Sequence, residues 1–376
     1  MRANKGLAGL IAGDTSISKV DVETNSLWYR GYDINELCKQ ASFLEVAYLL
    51  LHKDLPNSQQ LDEFKAFERN NRSIPNEMYT VFQNMPKNAH PMDVLKMGVS
   101  MLGSFDEENS LGSNSHEQNL RKAMLLLSKM PTVVASSYRI SQGKNPIEPN
   151  SELSFSENFL SMILGKKIND PLSIKTLDNS LILYAEHGYN ASTFSARVTA
   201  ATLSDLYNAV SSAIGTLKGP LHGGANEQVM YMLQEIGTPE KAKQYTLDKI
   251  NNKEKIMGFG HRLYRTGDSR TAVIKNLGQQ LAKQKGISIW HEISDIMEKT
   301  MITEKQIYPN LDFPAATAYY LLDIPIELYT PIFAASRITG WASHILEQHD
   351  NNRLIRPGCE YIGPISRKVK PISQRN

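Results

Sequence analysis

Apolar residues along this chain recur at three- and four-residue spacing far more often than they alternate, the pattern of helices laid against a core. Ser42-Phe43-Leu44-Glu45 reads as a capping box that opens an apolar run to Leu51. Pro91 opens a helix over His90 to Leu102, and Thr238-Pro239-Glu240 brings a cap, a proline at the first helical position and an early acid. Strand-like pieces are confined to the first thirty residues, around Ile17 to Val20 and Leu27 to Tyr29. Strands and helices do not alternate, which argues against a parallel sheet. No internal period of about 20 to 50 residues marks a solenoid. The expected fold class is all-α.

Ala191 to Ala213 holds 6 Ala, 5 Ser and 3 Thr in 23 residues. Side chains this small let helices approach closely, so a tightly packed helix is expected, either in the core or at a subunit interface. Glycine and proline concentrate in Thr216-Leu217-Lys218-Gly219-Pro220-Leu221-His222-Gly223-Gly224, a candidate hinge, and a second break falls at Asp323-Ile324-Pro325. The segment between them carries its own helix starts. It is expected to form a smaller domain over 224–323, inserted into a large domain that runs over 1–223 and resumes over 324–376. The tail after Gly363 reads as an extended arm or frayed end.

With 41 Lys plus Arg against 39 Asp plus Glu, the net charge of +2 argues against a nucleic-acid binder that relies on a broadly basic surface. Cys38 and Cys359 are too few for a disulfide framework and suit a reducing compartment. The most apolar stretch, Leu321 to Leu346, contains Asp323, Glu327 and Arg337, so it reads as a buried helix and not a membrane span. The apolar run Leu7 to Ala12 is too short for a signal-peptide core, and the expected location is cytoplasmic.

Two histidines sit among glycines: His222 in Gly219-Pro220-Leu221-His222-Gly223-Gly224-Ala225-Asn226, and His261 in Met257-Gly258-Phe259-Gly260-His261-Arg262. Glycine there allows close backbone approach or unusual dihedrals. A helix is expected to begin just after each, and its dipole would keep the imidazole neutral and able to donate to a carbonyl. Each histidine could equally just satisfy loop backbone. Asp312, within Tyr308-Pro309-Asn310-Leu311-Asp312-Phe313-Pro314, is either a partly desolvated general base or simply a helix N-cap. Arg337 lies in an otherwise apolar helix and needs an acidic or anionic partner. Two histidines and an aspartate also suit a metal-dependent hydrolase. His-Glu-x-x-His, Cys-x-x-Cys and phosphate-loop motifs are all missing, so no metal or cofactor is expected.

Taken together and in order, the segments around His222, His261 and Asp312 resemble the three catalytic segments of the citrate synthase family. Asp14-Thr15-Ser16-Ile17, Tyr29-Arg30-Gly31-Tyr32, Ala185-Glu186-His187 and the Arg337 and Arg356 segments extend the match over essentially the whole chain. The resemblance implies an all-α, two-domain homodimer that condenses oxaloacetate with a short acyl-CoA and then hydrolyses the thioester. It makes Asp312 the base at the acyl α-carbon. It gives His222 the thioester oxygen and His261 the oxaloacetate carbonyl. It assigns His187, Arg270, Arg337 and Arg356 to the oxaloacetate carboxylates, with Arg356 reaching in from the partner subunit. Arg265 and Lys305 match positions near the CoA phosphates, and Lys255-Ile256-Met257-Gly258 would pass along the nucleotide. Ser269, in Gly267-Asp268-Ser269-Arg270, stands where the family usually has proline.

His90-Pro91-Met92-Asp93-Val94, Lys129-Met130-Pro131 and Glu347-Gln348-His349-Asp350-Asn351-Asn352-Arg353 look closer to the 2-methylcitrate synthase branch, which favours propionyl-CoA over acetyl-CoA as donor. A strict acetyl-CoA-dependent citrate synthase is the nearest alternative. A non-catalytic helical dimer is a further one, and the intact set of His222, His261, Asp312 and Arg337 speaks against it.

Overall fold

The computed structural model describes residues 4–7, 9–110 and 114–375, the side chain of residue 110 excepted. Among them, seventeen α-helices carry the fold, and three short strands near the N-terminus accompany them. The strands form one antiparallel sheet: β1 (Ser18–Asp21), β2 (Ser26–Tyr29) and β3 (Tyr32–Asp33), with Lys19 opposite Trp28 and Tyr29 opposite Tyr32. The turn from β2 to β3 is Arg30-Gly31, both at positive φ (49° and 92°), a geometry that glycine supplies without strain. Tyr29 points inward from this sheet, and its hydroxyl donates to the carbonyl oxygen of Glu186, 2.8 Å away.

The capping box at Ser42 is formed and opens helix Phe43–His52. The helix from Pro91 is also present and runs on to Phe105, with His90 Nδ1 accepting the Met92 N–H at its start. Helix Pro239–Asn251 begins with its proline in place, but Thr238 makes no side-chain cap bond. The small-residue stretch forms two helices instead of one, Ala191–Ala200 and Leu206–Leu217, each N-capped by a side chain, Asn190 and Asp205. Both pack against the 22-residue helix Tyr329–Asp350, as do helices Phe43–His52, His116–Ser141 and Pro171–Tyr184. This surrounded helix is buried on nearly all sides, which explains its apolar sequence without invoking lipid. Among the described residues no helix is long and apolar enough to cross a membrane.

Helices Ala225–Ile236, Pro239–Asn251, Thr271–Lys285, Ile289–Lys305 and Asp312–Leu321 pack on one another. The second and fourth form one pair, and the third and fifth another. Loops from this group and from the remainder of the molecule meet at one large cleft.

Candidate active site

His222 lies in the turn between helices Leu206–Leu217 and Ala225–Ile236. Its glycines are required for space. A Cβ on Gly223 would lie 2.6 Å from Leu217 Cδ1, and one on Gly224 would lie 2.7 Å from the Lys218 carbonyl oxygen. The tight turn delivers the imidazole onto the start of helix Ala191–Ala200, where the Ser192 N–H donates to Nε2 (3.2 Å). Ser192 Oγ, 2.8 Å from the same nitrogen, is itself fixed by donating to Asn190 Oδ1 and accepting from Trp341 Nε1. With Nε2 accepting the amide, the ring carries its proton on Nδ1. Burial, reinforced by the Arg337 charge, lowers its pKa to about 3, so the ring stays neutral at working pH.

His261 and Asp312 are brought together by a short antiparallel bridge between Phe259 and Pro309. Gly260 N–H donates to the Tyr308 carbonyl (2.8 Å), and Asn310 N–H donates to that of Gly258 (2.9 Å). Gly258 has φ 80°, and a Cβ there would meet Val229 Cγ2 at 2.7 Å and Phe313 Cβ at 2.9 Å, so this close approach excludes any side chain. The expected helix after His261 is absent. Turns follow, and the next helix begins at Thr271. The imidazole instead accepts the N–H groups of Leu263 and Tyr264 on Nδ1 (3.1 and 3.2 Å), which leaves the proton on Nε2. Burial, with Arg270 next in effect, lowers its pKa to about 4. Neutrality thus arises from desolvation and a neighbouring cation, not from a helix dipole.

Asp312 is the first residue of helix Asp312–Leu321, not its N-cap, which is Leu311. The carboxylate is lodged deep in the cleft, and Oδ1 accepts the Tyr184 hydroxyl at 2.8 Å. Desolvation raises its pKa to about 6, against the opposing pull of that hydrogen bond and of Arg270. A carboxylate in this range is ionised at neutral pH yet a far better proton acceptor than an ordinary aspartate.

His222, His261 and Asp312 line a cleft of about 1490 Å³ together with His187, Arg270, Arg337, Lys255 and Lys305. Arg270 is gripped by Asp268 through two bonds (2.9 and 2.6 Å), and this pairing holds its charge against burial. Arg337 donates from Nε to the Tyr184 carbonyl (2.6 Å) and stacks over Phe333. Burial brings its pKa down to about 10, which still leaves it charged. His187 is held neutral, well below the usual histidine range, by burial and then by Arg270, His261 and Arg337. Two buried cations beside neutral imidazoles are chemically suited to hold a small dianion. Arg265 and Arg356 are exposed and lie outside this cleft, Arg356 on the extended tail.

Tyr184, Ser192, Asp268 and Tyr264 support the site and carry no motif that singles them out. Ser269 Oγ lies 3.3 Å from the Tyr264 hydroxyl, which is 3.4 Å from His187 Nε2. The serine therefore joins a polar chain to His187 that proline could not make. Beneath this layer, the fully buried pair Glu186 and His344 (2.9 Å) ties the segment bearing His187 to the central helix. His261 Nδ1 and His222 Nε2 each accept backbone N–H groups, and Asp312 accepts a tyrosine hydroxyl. Among the described residues no group of three His, Cys, Asp or Glu side chains is arranged around a common point.

Residues 6–358 match the family model described as citrate synthase, C-terminal domain. The chain is 47% identical to a citrate synthase of Mycolicibacterium smegmatis over 98% of this chain and 97% of that one. It is 44% identical to 2-methylcitrate synthase 2 of Corynebacterium glutamicum over 99% and 97%. A solved ternary complex of carboxymethyl coenzyme A and oxaloacetate with the citrate synthase of Thermoplasma acidophilum superposes with TM-score 0.93 at 31% identity, covering 99% of each chain. On sequence and on structure, the chain belongs to the citrate synthase family and is an acyltransferase of the citrate synthase and 2-methylcitrate synthase kind.

Proposed function

We propose that this enzyme condenses oxaloacetate with a short acyl-CoA, propionyl-CoA in preference to acetyl-CoA, and hydrolyses the resulting thioester to 2-methylcitrate or citrate and free CoA. The observation that carries this reading is a carboxylate with pKa about 6 sharing one cleft with two imidazoles of pKa about 3 and 4. A thioester α-proton is very weakly acidic, so its removal needs a base and an oxyanion partner acting together. Asp312 takes the proton. His222 donates from Nδ1 to the thioester oxygen as negative charge builds there. The α-carbon attacks the keto carbon of oxaloacetate, while His261 donates from Nε2 to the keto oxygen and hands it a proton. Water then cleaves the thioester and CoA leaves as the thiol.

Arg270, Arg337 and His187 hold the oxaloacetate carboxylates, and Lys255 and Lys305 at the rim face the phosphates of CoA. Arg265 and Arg356 complete these two sets once the molecule is assembled and closed. The enzyme works as a homodimer whose C-terminal arm brings Arg356 to the partner's cleft. In a single chain the arm leaves Leu354, Tyr361, Ile362, Ile365, Val369 and Ile372 exposed, a run that favours burial against another surface. The segment 224–323 acts as a small domain that closes on 1–223 and 324–376, excluding water from the cleft. The reaction is placed in the cytoplasm, where two unpaired cysteines are unremarkable.

Citrate synthases and 2-methylcitrate synthases both occur among the relatives, and one methylene changes binding by only about 1–3 kcal/mol, so both donors should react. The test is thiol release from each acyl-CoA with and without oxaloacetate. Release that requires oxaloacetate supports the reading, and no release with either donor refutes it.

A further inference from the structure

One wall of the cleft takes no part in the chemistry above. It is built by the N-terminal segment, of which Gly6, Leu10, Ile11 and Gly13 line the same cavity as His222 and Asp312. Beyond one 3-10 turn at Lys5–Leu7 this segment has no helix or strand before β1 among the described residues, yet it is tied at both ends. Arg262 Nη2 donates to the Gly6 carbonyl (2.9 Å), and the Tyr189 hydroxyl donates to that of Asp14 (2.9 Å). A Cβ on Gly13 would lie 3.3 Å from the Tyr189 hydroxyl, so the strap lies flat against that ring. The anchors belong to the two ligand-binding segments themselves: Arg262 follows His261 directly, and Tyr189 stands two residues after His187.

Between the anchors, Leu10 and Ile11 are 54% and 85% exposed. Leu221 and Leu263, beside the two catalytic histidines, are 80% and 43% exposed and line the same cavity. Single exposed aliphatics are ordinary. Four of them, drawn from three separate segments, line one cleft, and the apolar part of a ligand bound there would gain from covering them. A dianion bound by arginines at the floor gains nothing from them. An acyl thioester brings an alkyl group and a largely apolar arm.

We propose that the N-terminal strap, clasped by Arg262 and Tyr189, is a wall of the acyl-thioester site, with Leu10 and Ile11 packing on the donor and setting its affinity and chain-length preference. This rests on the condensing-enzyme reading. It makes Leu10 and Ile11 part of donor recognition, although the strap carries none of the catalytic groups.

Steady-state kinetics with acetyl-CoA and propionyl-CoA test this on the unmodified chain and on three variants: Leu10→Ser with Ile11→Ser, Arg262→Gln, and Tyr189→Phe. The paired strap variant should raise the KM for acyl-CoA about tenfold and lower the propionyl-to-acetyl ratio of kcat/KM, while the KM for oxaloacetate stays unchanged. Arg262→Gln and Tyr189→Phe each cut one anchor, the latter without altering charge, and both should move the acyl-CoA KM in the same direction. An unchanged acyl-CoA KM and donor ratio in the strap variant, or an equal rise in both substrates' KM values, overturns the strap's role and leaves the condensing activity standing. No thiol release by the unmodified chain overturns both.

Discussion

A carboxylate with pKa about 6, in one cleft with imidazoles of pKa about 3 and 4, gives the site a definite pH signature. The base works ionised, so kcat/KM should fall as pH drops through about 6 and Asp312 takes up a proton. The two histidines remain neutral over that whole range and add no limb of their own above it. Tyr184 stabilises the ionised carboxylate by donating to it, so Tyr184→Phe should shift the acid limb to higher pH, a change that a purely structural defect would not produce. Asp312→Asn should cost about 10²–10⁴ in kcat with oxaloacetate affinity retained, as calorimetric titration of oxaloacetate would show. His222, His261, Asp312 and Arg337 could be singled out in the sequence as candidates, and Arg270 through the family resemblance; the structure brings all five to one cleft. Tyr184 could not be singled out, because its partner is 128 residues away and nothing local marks it. The Ser269 departure from the family pattern gains its meaning only from the fold, where the hydroxyl meets Tyr264.

Helix starts were readable at Ser42 and Pro91, where a capping box and a proline define them. The helix expected after His261 failed for a physical reason. The Gly258-Phe259-Gly260 backbone is committed to the bridge with Pro309, and the imidazole itself accepts the N–H groups that a new helix would leave free. The division of the small-residue stretch was missed although Asp205 is a good capping residue, because composition alone cannot distinguish one helix from two. The bridge is also sensitive to a small change. Gly258→Ala must place a side chain at φ 80° against Val229 and Phe313. It should lower stability by about 1–3 kcal/mol in chemical denaturation and disturb His261 and Asp312 together. Undiminished stability and activity would show that the bridge does not need that glycine.

At the scale of the whole molecule, a net charge of +2 conceals a site that gathers buried arginines for anionic substrates. The charge that faces the cleft is carried by two buried arginines, Arg270 and Arg337, too few to register in bulk composition. The proposed domain division and the proposed dimer belong to this scale, where one chain's sequence says little about what covers an exposed arm. If Arg356 serves the partner's cleft, an Arg356→Gln chain and an Asp312→Asn chain, each inactive alone, should recover about a quarter of full activity when allowed to exchange subunits. No recovery in a verified mixed dimer would place both residues in one subunit's site. The most direct measurement of the central claim is the product formed from oxaloacetate with each acyl-CoA, identified by mass. The account predicts citrate from acetyl-CoA and a tricarboxylate heavier by one methylene from propionyl-CoA, each with one equivalent of CoA, and neither from Asp312→Asn at a comparable rate. Formation of neither product by the unmodified chain, or equal formation by Asp312→Asn, would contradict it.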